Sequence, residues 1–438
     1  MKILFIWTRP PGMVFEEYDP NESYLRMIMS KVLSFPKPLT FPILAALVPK
    51  EHSVDVIEAS PRDVDYDEKY DIIGITSVTR YANWMYEMAD EFRKRGSFVV
   101  LGGWHASALP EEAKQHADSV VIGEAEETWP QLIKDFENGN PKPYYYAERP
   151  VGVEFIPHPA KVYKTGPLLG IQATRGCPHG CEFCAITNMR FRNIFRARPI
   201  EEVIEEIRSL PGKIFNFHDN SLTVNPEYTK KLFKEMKGLG KVFYGFGNIN
   251  ILGKDDEFLK IASEAGCAGW LIGFESISQE SIDMIGKKTN VVEKYLSSVR
   301  KIHDHGMIVL GSFVFGFDGD TIDVFDRTDE FVRISEIDVP DTMILTPYPG
   351  TPLYNRLDKE GRITTKDWLK YNFETVVFEP KHMTAEELYE NTRRLYRKWH
   401  SWPPAIIRSI KSLNFGKRAF VETAMQSLYM KILRYQDQ

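Results

Sequence analysis

The sequence predicts an α/β protein with a doubly wound five-stranded domain, a partial (βα)6 barrel and a helical C-terminal extension. Three observations support this fold class. Short apolar runs alternate with helical patterns over the first 140 residues, a second alternating series begins near residue 168, and the strand pattern stops near residue 358. We place the domains at 1–140, 168–358 and 359–438, and we interpret 141–167, with its prolines and tyrosines, as a linker.

Five apolar runs predict the strands of the first domain. They are rich in Val, Ile and Phe and lie at 2–8, 53–59, 71–79, 97–104 and 119–125. Helical patterns lie at 41–50, 82–95, 110–117 and 128–138. Because ligands of doubly wound sheets bind beyond the carboxyl ends of the strands, we expect a binding site at that edge.

Six further apolar runs predict the barrel strands. They lie at 168–173, 213–218, 242–247, 269–275, 308–317 and 341–346. Helices are predicted at 200–209, 226–237, 257–265, 280–285, 291–303 and 321–335. Six βα units form a partial barrel rather than the complete set of eight.

Three of the four cysteines lie in a C-x3-C-x2-C pattern, as Cys177, Cys181 and Cys184. Three thiolates are one fewer than an iron–sulfur cube needs for its four irons, so the pattern favours a cluster with one open iron. A structural zinc site usually has four ligands in paired C-x2-C units, and the only other thiol is Cys267. We interpret Cys267 as a buried core residue. A disulfide framework is disfavoured because four cysteines would cross-link very little of this chain.

The spacing of the triplet resembles the signature of the radical S-adenosylmethionine (SAM) superfamily. The stretches 102–111 and 118–129 are similar to the cobalamin-binding domain that precedes the barrel in one large subclass, the class B radical SAM methyltransferases. The resemblance covers roughly residues 1–360. It implies a 4Fe–4S cluster on the three cysteines, SAM on the open iron, and cobalamin, as methylcobalamin, in domain 1–140.

In that subclass, glycine turns at the strand ends let the backbone approach cobalamin. The resemblance assigns such contacts to Gly102, Gly103, Trp104, Gly123 and Glu124. It places Ser77 near the nucleotide tail of cobalamin.

The loop after the first strand departs from a common cobalamin-binding pattern. Many cobalamin proteins carry a cobalt-ligating histidine there, but residues 8–13 contain none. We therefore expect a lower cobalt face without a histidine ligand, close to Thr79, Arg80 and Tyr81. Arginine stays protonated and cannot coordinate, so we hypothesise that Arg80 favours four-coordinate cobalt.

The resemblance assigns SAM contacts to the ends of barrel strands. The residues concerned are His218, Asp219, Glu275, Ser276 and Gly316. An arginine after the cluster loop could pair with the SAM carboxylate, or this run could be a nucleic-acid patch; the candidates are Arg190, Arg192, Arg196 and Arg198. The net charge of −6 gives no support to nucleic-acid binding.

Tyr348 lies in the stretch 346–352, which resembles the closing motif of the subclass. It could line the site or capture a stray radical, and a packing role is the alternative. Tyr348 and Arg80 are the catalytic candidates.

The resemblance implies a cobalamin-dependent C-methyltransferase acting on an unactivated carbon. In the subclass, a 5′-deoxyadenosyl radical removes a hydrogen atom and methylcobalamin supplies the methyl group. The alternatives are an enzyme of the same architecture that forms rings or carbon–carbon bonds without methyl transfer, and a cofactor-binding sensor. Chain size and the compact first domain are similar to the archaeal enzymes that C-methylate a glutamine of methyl-coenzyme M reductase. A peptide or protein substrate is therefore expected, with a lipid or tetrapyrrole as the alternative.

Composition bounds the remaining expectations. Hydrophobic residues make up 43% of the chain and charged residues 26%, as in ordinary globular proteins, and no signal peptide or transmembrane run is predicted. An oxygen-sensitive cluster indicates a reducing cytoplasm and an external electron donor of the ferredoxin or flavodoxin type. The last 38 residues carry six lysines and arginines against two acids, which predicts a solvated helical cap or a substrate-docking surface.

Overall fold

Two six-stranded parallel sheets form the framework of the protein. The computed structural model describes residues 1–9, 39–153, 156–157 and 169–433. The first sheet belongs to the N-terminal domain and the second forms the partial barrel, which confirms the predicted fold class.

The first sheet has the strand order β2-β1-β3-β4-β5-β6. Its strands are β1 (Lys2–Thr8), β2 (Ser53–Ala59), β3 (Ile72–Thr76), β4 (Phe98–Gly102), β5 (Ser119–Ile122) and β6 (Tyr144–Tyr146). The five predicted strands all form, but the predicted count is too low by one, because β6 lies in the stretch interpreted as a linker. This edge strand is only three residues long and follows Pro143, so no alternating pattern reveals it. Residues 154–155 and 158–167 of the predicted linker lie outside the described residues.

Helices cover both faces of this sheet. They are α1 (Thr40–Ala46), α2 (Ala82–Lys94), α3 (Trp104–Ala108), α4 (Pro110–Gln115) and α5 (Thr128–Glu137). On one face α2 buries Met85, Met88 and Phe92. On the other face, the ring of Phe5 lies 4.7 Å from that of Phe41 in α1 and 5.0 Å from that of Trp129 in α5, measured between ring centroids.

The barrel sheet has the strand order β14-β13-β12-β11-β10-β7, as a partial (βα)6 barrel requires. The strands of this part of the chain are β7 (Leu169–Ile171), β8 (Thr174–Arg175), β9 (Arg196–Ala197), β10 (Ile214–Phe217), β11 (Val242–Phe246), β12 (Cys267–Glu275), β13 (Ile308–Phe315) and β14 (Val339–Ile344). The helices are α6 (Ala185–Asn188), α7 (Ile200–Ser209), α8 (Pro226–Met236), α9 (Ile249–Leu252), α10 (Asp256–Ala265), α11 (Gln279–Met284), α12 (Tyr295–Asp304) and α13 (Val324–Ser335). Cys267 is buried in β12, as expected of a core residue.

The C-terminal extension is mainly helical, as predicted. Helix α14 (Pro352–Lys359) ends the barrel region, and the helices of the extension are α15 (Ala385–Trp399), α16 (Trp402–Lys411) and α17 (Lys417–Leu433). Residues 361–384 are largely irregular. There Trp368 packs into the core of the N-terminal domain, and its indole nitrogen donates to the Glu112 carboxylate at 2.9 Å. The extension therefore joins the two domains.

The last two helices close the amino-terminal end of the barrel. Ala419 of α17 packs with Ala268 and Ile308, which lie at the first residues of β12 and β13. The Arg408 guanidinium of α16 donates to the carbonyl of Asp338, the residue before β14, at 2.9 Å. Among the described residues, no helix is both long enough and apolar enough to cross a lipid bilayer.

Candidate active site

The cysteine triplet lies in a loop between β8 and α6, beyond the carboxyl end of β7. Backbone and side-chain hydrogen bonds fix the loop from several sides. The amide of Cys177 donates to the Arg192 carbonyl at 2.8 Å, and the Thr187 hydroxyl donates to the Cys177 carbonyl at 2.6 Å. The Asn188 amide donates to the carbonyls of Cys181 at 3.0 Å and Cys184 at 2.8 Å. These bonds hold the backbone of the loop and leave the three thiols available as ligands.

Asp219 anchors the chain that leads into this loop. Its buried carboxylate accepts hydrogen bonds from the amide of Ala173 at 3.0 Å, and from the amide and hydroxyl of Thr174 at 2.5 Å each. Burial raises the pKa of Asp219 to about 6, against these hydrogen bonds, which lower it. Asp219, predicted as a SAM contact, therefore has its carboxylate engaged in positioning the cluster loop.

A buried lysine lies beside the thiols. Burial raises the pKa of Cys181 to about 12, and the positive charge of Lys287 acts in the opposite direction. The same charge interacts with Cys177 and Cys184. The three thiols therefore lie in one loop, close to the positive charge of Lys287. This arrangement suits an anionic iron–sulfur cluster that is held by three thiolate ligands. Sequence reasoning missed Lys287, since two adjacent lysines after a glycine read as an exposed turn and carry no signal for a cluster site.

Glu275 is held by this lysine. The Lys287 ammonium lies 2.5 Å from the Glu275 carboxylate and 2.9 Å from the Gly273 carbonyl. Burial acts to lower the pKa of Lys287, but its interactions with Glu275, Cys181 and Cys184 act more strongly in the opposite direction. The pKa of Lys287 is therefore raised overall. Ser276 is buried beside Glu275, and its hydroxyl accepts from the amide of Ser278 at 3.1 Å. The predicted pair Glu275–Ser276 thus lies next to the cluster cysteines.

A cavity of about 270 Å³ joins the carboxyl edge of the first sheet to the barrel. The predicted site residues on its wall are Gly102, Gly103, Trp104, Gly123, Glu124 and His218. Gly103 has a φ of +89°, and a Cβ there would lie 2.1 Å from the Thr76 hydroxyl, so only glycine lets the turn pass so closely. The structure therefore brings residues from both domains to one cavity.

Two residues on the wall of this cavity carry a buried polar atom that has no hydrogen-bond partner in the described part of the chain. The atoms are the Nε2 atom of His218 and the indole nitrogen of Trp129. Burial lowers the pKa of His218 to about 4, so its ring is neutral at physiological pH. Unsatisfied buried polar groups are costly, and a bound cofactor would satisfy them. The donors, the glycine turns and the α/β cleft fit cobalamin.

Glu124 lies where the two domains meet. Its buried carboxylate is 2.6 Å from the guanidinium of Arg196, 3.0 Å from that of Arg192 and 3.6 Å from that of Arg175. Burial raises the pKa of Glu124, but the hydrogen bond from Arg196 and the charges of the three arginines hold it below its usual value. The residue predicted as a cobalamin contact is therefore also the centre of an interdomain ion-pair network.

The four arginines considered for SAM have other partners. Arg192 and Arg196 bind Glu124, Arg190 donates to the Ala147 carbonyl at 2.6 Å, and Arg198 pairs with buried Glu206 at 2.6 Å. Three of them thus tie the barrel to the N-terminal domain.

Arg80 lies in a group of aromatic side chains. Its guanidinium is 4.7 Å from the centroid of the Tyr81 ring, which stacks on Trp84. The charges of Arg80 and Tyr81 act on Tyr348, and the Tyr348 hydroxyl donates to the Tyr371 carbonyl at 3.2 Å. The structure therefore brings the two catalytic candidates close to each other.

Other predicted residues lie away from the cavity. The Ser77 hydroxyl contacts the Met85 sulfur at 3.5 Å on the α2 side of the sheet, and Thr79 is buried in the same turn as Arg80. A Cβ on Gly316 would lie 2.8 Å from Leu388 of α15, so this glycine packs against the extension. Residues 10–13 of the loop without histidine lie outside the described residues, so the cobalt-face expectation stays a prediction.

Comparison with known families agrees with this two-part site. The B12 binding domain matches residues 25–133, and the radical SAM superfamily matches residues 171–332. The bacteriochlorophyllide d C-12(1)-methyltransferase of Chlorobaculum tepidum is 31% identical over 397 residues, covering 87% of this chain and 86% of that protein. The bacteriochlorophyllide d C-8(2)-methyltransferase of the same organism is 33% identical over 390 residues, covering 84% and 86%.

Solved structures share the fold over nearly the whole chain. The radical SAM methyltransferase TsrM from Kitasatospora setae, with cobalamin and a 4Fe–4S cluster bound, has a TM-score of 0.70 at 16% identity and covers 98% of this chain and 99% of that one. The cobalamin-dependent radical SAM enzyme OxsB has a TM-score of 0.68 at 13% identity and covers 99% and 72%.

The fold and the site define a radical SAM enzyme with a cobalamin-binding domain. The chain belongs to the cobalamin-dependent radical SAM methyltransferases. Its cofactors are a 4Fe–4S cluster, SAM and cobalamin.

Proposed function

We propose that this enzyme C-methylates an unactivated side-chain carbon of a chlorin-type tetrapyrrole. The observation that carries the proposal is the similarity to two bacteriochlorophyllide methyltransferases, which extends over more than four fifths of each chain. The similarity therefore includes both domains rather than the cofactor motifs alone. A tetrapyrrole was the alternative substrate class that the sequence left open.

The protein offers two separate cofactor sites, the cysteine loop of the barrel and the cavity at the carboxyl edge of the first sheet, and barrel residues that flank the cysteine loop, Arg175 and Met189 among them, line that cavity. When bound, the cluster with SAM supplies a hydrogen-abstracting radical, and methylcobalamin supplies a methyl group. Cys177, Cys181 and Cys184 would hold the cluster, and the charge of Lys287, paired with Glu275, would act on its thiolate ligands. The neutral His218 side chain lies on the cavity wall and can donate or accept a hydrogen bond without adding charge.

The Glu124 network supports this arrangement by fixing one domain against the other. Radical chemistry requires that water be excluded and that the reacting groups keep their positions. A carboxylate held by three guanidinium groups resists separation of the two walls more strongly than an exposed ion pair would. We assign Glu124 this positioning role in addition to its place on the cavity wall.

The aromatic group at Arg80 supports a binding role for planar ligands. Tyr81, Trp84, Tyr348 and Phe373 present ring faces and edges within one region, and Phe373 is partly exposed. Thr76 lines the cavity, and Arg80 lies only four residues further along the chain. In our proposal Arg80 lies near the lower face of cobalt, where its protonated guanidinium leaves cobalt without a protein ligand.

Other substrate classes receive different support. A relative 26% identical to this chain is the hopanoid C-2 methylase of Rhodopseudomonas palustris, so a lipid is the second candidate. An anaerobic magnesium-protoporphyrin IX monomethyl ester cyclase is 27% identical over 69% of this chain, which keeps ring formation as an alternative reaction. A glutamine of methyl-coenzyme M reductase, or another peptide, gains no support from the relatives compared.

We further propose a reducing cytoplasm and a ferredoxin- or flavodoxin-type electron donor, both on the basis of the oxygen-sensitive cluster.

The test is an anaerobic assay with reconstituted enzyme, hydroxocobalamin, a low-potential reductant and SAM deuterated in its methyl group, so that every methyl group available for transfer comes from the labelled SAM. Chlorophyllides, a hopanoid and a peptide mixture are offered in parallel, and products are read by mass spectrometry. The proposal predicts a chlorin that gains one deuterated methyl group. A product that changes mass without deuterium would support ring formation instead, and methylation of the hopanoid or peptide alone would overturn the chlorin assignment.

A further inference from the structure

Helix α16 turns its large apolar side chains toward solvent. Trp402, Ile406, Ile407, Ile410 and Leu413, here called the α16 face, are each between 47% and 56% exposed. Three of them, at positions 402, 406 and 410, recur every four residues and so share one side of the helix, and Leu413 follows in the 3₁₀ turn directly after it. The exposed side is a continuous apolar stripe.

The opposite side of the same helix contacts the protein through small residues. Ala405, Ser409 and Ser412 are buried, and the hydroxyl of Ser409 bonds back to the Ala405 carbonyl at 2.8 Å. A surface helix normally shows the reverse pattern, with its large apolar residues toward the core. The inversion indicates that something outside the described part of the chain covers the α16 face.

The region around the α16 face is basic in a chain that is acidic overall. The net charge of the protein is −6, whereas residues 402–418, which contain the face, carry four lysines and arginines and no aspartate or glutamate. Lys411 pairs with Glu336 at 2.6 Å, and the Arg418 guanidinium donates to the Gly266 carbonyl. Lys417 is exposed and forms no ion pair with any described residue. Cationic side chains beside an apolar stripe complement an anionic apolar surface.

We propose that the α16 face binds an anionic lipid membrane surface, with α16 lying in the plane of the interface. An amphipathic helix with Trp and Ile on one side and Lys and Arg near it has the chemistry of an interfacial helix rather than a spanning one. Association with a second copy through the same face is disfavoured, because a twofold interface would bring Lys411, Lys417 and Arg418 near their own equivalents. The proposal holds whichever molecule is methylated.

The position of the face defines its role. It lies at the amino-terminal end of the barrel, where α16 and α17 contact the residues preceding β12, β13 and β14, whereas the cluster loop follows the carboxyl end of β7. Membrane binding through α16 would thus anchor the enzyme with its cofactor cavity directed away from the bilayer. The face is an attachment surface and not an entrance for substrate.

The test is sedimentation of the anaerobic, cluster-containing enzyme with vesicles of phosphatidylcholine alone or mixed with phosphatidylglycerol. The informative variant is Ile406→Ser combined with Ile410→Ser. The matched control is Met284→Ser combined with Ile322→Ser, since these side chains are 50% and 49% exposed elsewhere. A third variant, Lys417→Glu, tests the electrostatic contribution.

We expect the wild-type enzyme to sediment with the anionic vesicles and to be released as salt is raised. The Ile406→Ser, Ile410→Ser variant should bind about tenfold more weakly or worse, the Lys417→Glu variant should be weakened severalfold, and the control pair should bind like the wild type. Failure to sediment with anionic vesicles would overturn the proposal, as would equal binding by the Ile406→Ser, Ile410→Ser variant. A wild-type dimer that dissociates on those same substitutions would also overturn it, since the face would then join two copies.

Discussion

The two ends of the barrel differ in which side chains they bury: one end buries charged side chains, and the other exposes apolar ones. At the carboxyl end, Asp219 and Glu275 are buried and the Lys287 side chain is only 14% exposed. At the amino end, Ile406 and Ile410 are left in water. Both arrangements cost free energy in an isolated chain, so both indicate binding. The carboxyl end withdraws charge to build a reaction site, and the amino end exposes apolar surface for attachment.

The largest expected effect separates ligand cysteines from the core cysteine. Replacing Cys184 by alanine removes one of three ligands, so we expect the iron content after anaerobic reconstitution to fall from about four per chain to nearly none. The matched control is Cys267→Ala, which removes a thiol buried in β12. It should retain the cluster. A full cluster in the Cys184→Ala variant would show that the loop is not the cluster site.

The buried ion pair should contribute strongly to folding. Lys287→Met leaves Glu275 as an unpaired buried charge, and we expect a loss of about 3–5 kcal/mol in the free energy of unfolding measured with urea. Adding Glu275→Gln should recover part of that loss. The neighbouring exposed residue provides the control: Lys288→Met should change stability by less than about 0.5 kcal/mol. Equal effects at positions 287 and 288 would mean that the pair is not buried in solution.

Removing the carboxylate of the interdomain Glu124 network should lower the free energy of unfolding by an amount that depends on pH. Because the pKa of Glu124 is lowered in the folded protein, its ion pairs stabilise the fold above the unfolded pKa of about 4.3 and lose that effect as pH falls through the folded value. We expect Glu124→Gln to cost about 2–3 kcal/mol at pH 7, with a difference from wild type that shrinks below about pH 4.

The exposed pair Arg149–Glu127 is the control for this prediction. Glu127→Gln should cost less than about 1 kcal/mol at pH 7, since an exposed pair gains little. A Glu124→Gln difference that stays constant from neutral to acid pH would contradict the assignment of an ionised carboxylate.

The smallest expected effect lies at the amino end. Ile410→Ser should change the free energy of unfolding by no more than about 0.5 kcal/mol without membranes, because the side chain is already in water. Ile308→Ser, at a fully buried isoleucine of β13 beside α17, should cost about 3 kcal/mol or more. If the two substitutions cost the same, the α16 face is buried in solution and the contrast between the barrel ends fails.

The sequence predicted what depends on contiguous residues. The strands of both sheets, the cysteine triplet and the glycine turns are short-range patterns, and each formed where expected, apart from the additional strand β6. The roles of Lys287 and Glu124 depend instead on side chains brought together by folding. Lys287 comes more than a hundred residues after Cys177, and the partners of Glu124 lie 51 to 72 residues further along the chain. No spacing rule connects such residues.

Asp219 shows a second limit of sequence reasoning. Its place after β10 suggested a contact with SAM, which stays a prediction, and the pattern could not show that its carboxylate accepts hydrogen bonds from Ala173 and Thr174. The sequence likewise did not reveal that α16 exposes its large apolar side chains and buries its small ones, because an amphipathic pattern does not show which side of a helix contacts the protein. The basic composition of the tail was the only sequence signal for that surface.

The central claim is that the cysteine-loop site and the cobalamin cavity act together on one chlorin substrate. The most direct measurement is the isotope content of a chlorophyllide incubated anaerobically with the holoenzyme and SAM carrying a fully deuterated methyl group. We predict one added methyl group that carries the whole deuterium label, accompanied by 5′-deoxyadenosine. Release of 5′-deoxyadenosine with an unlabelled or unchanged chlorin would contradict the claim.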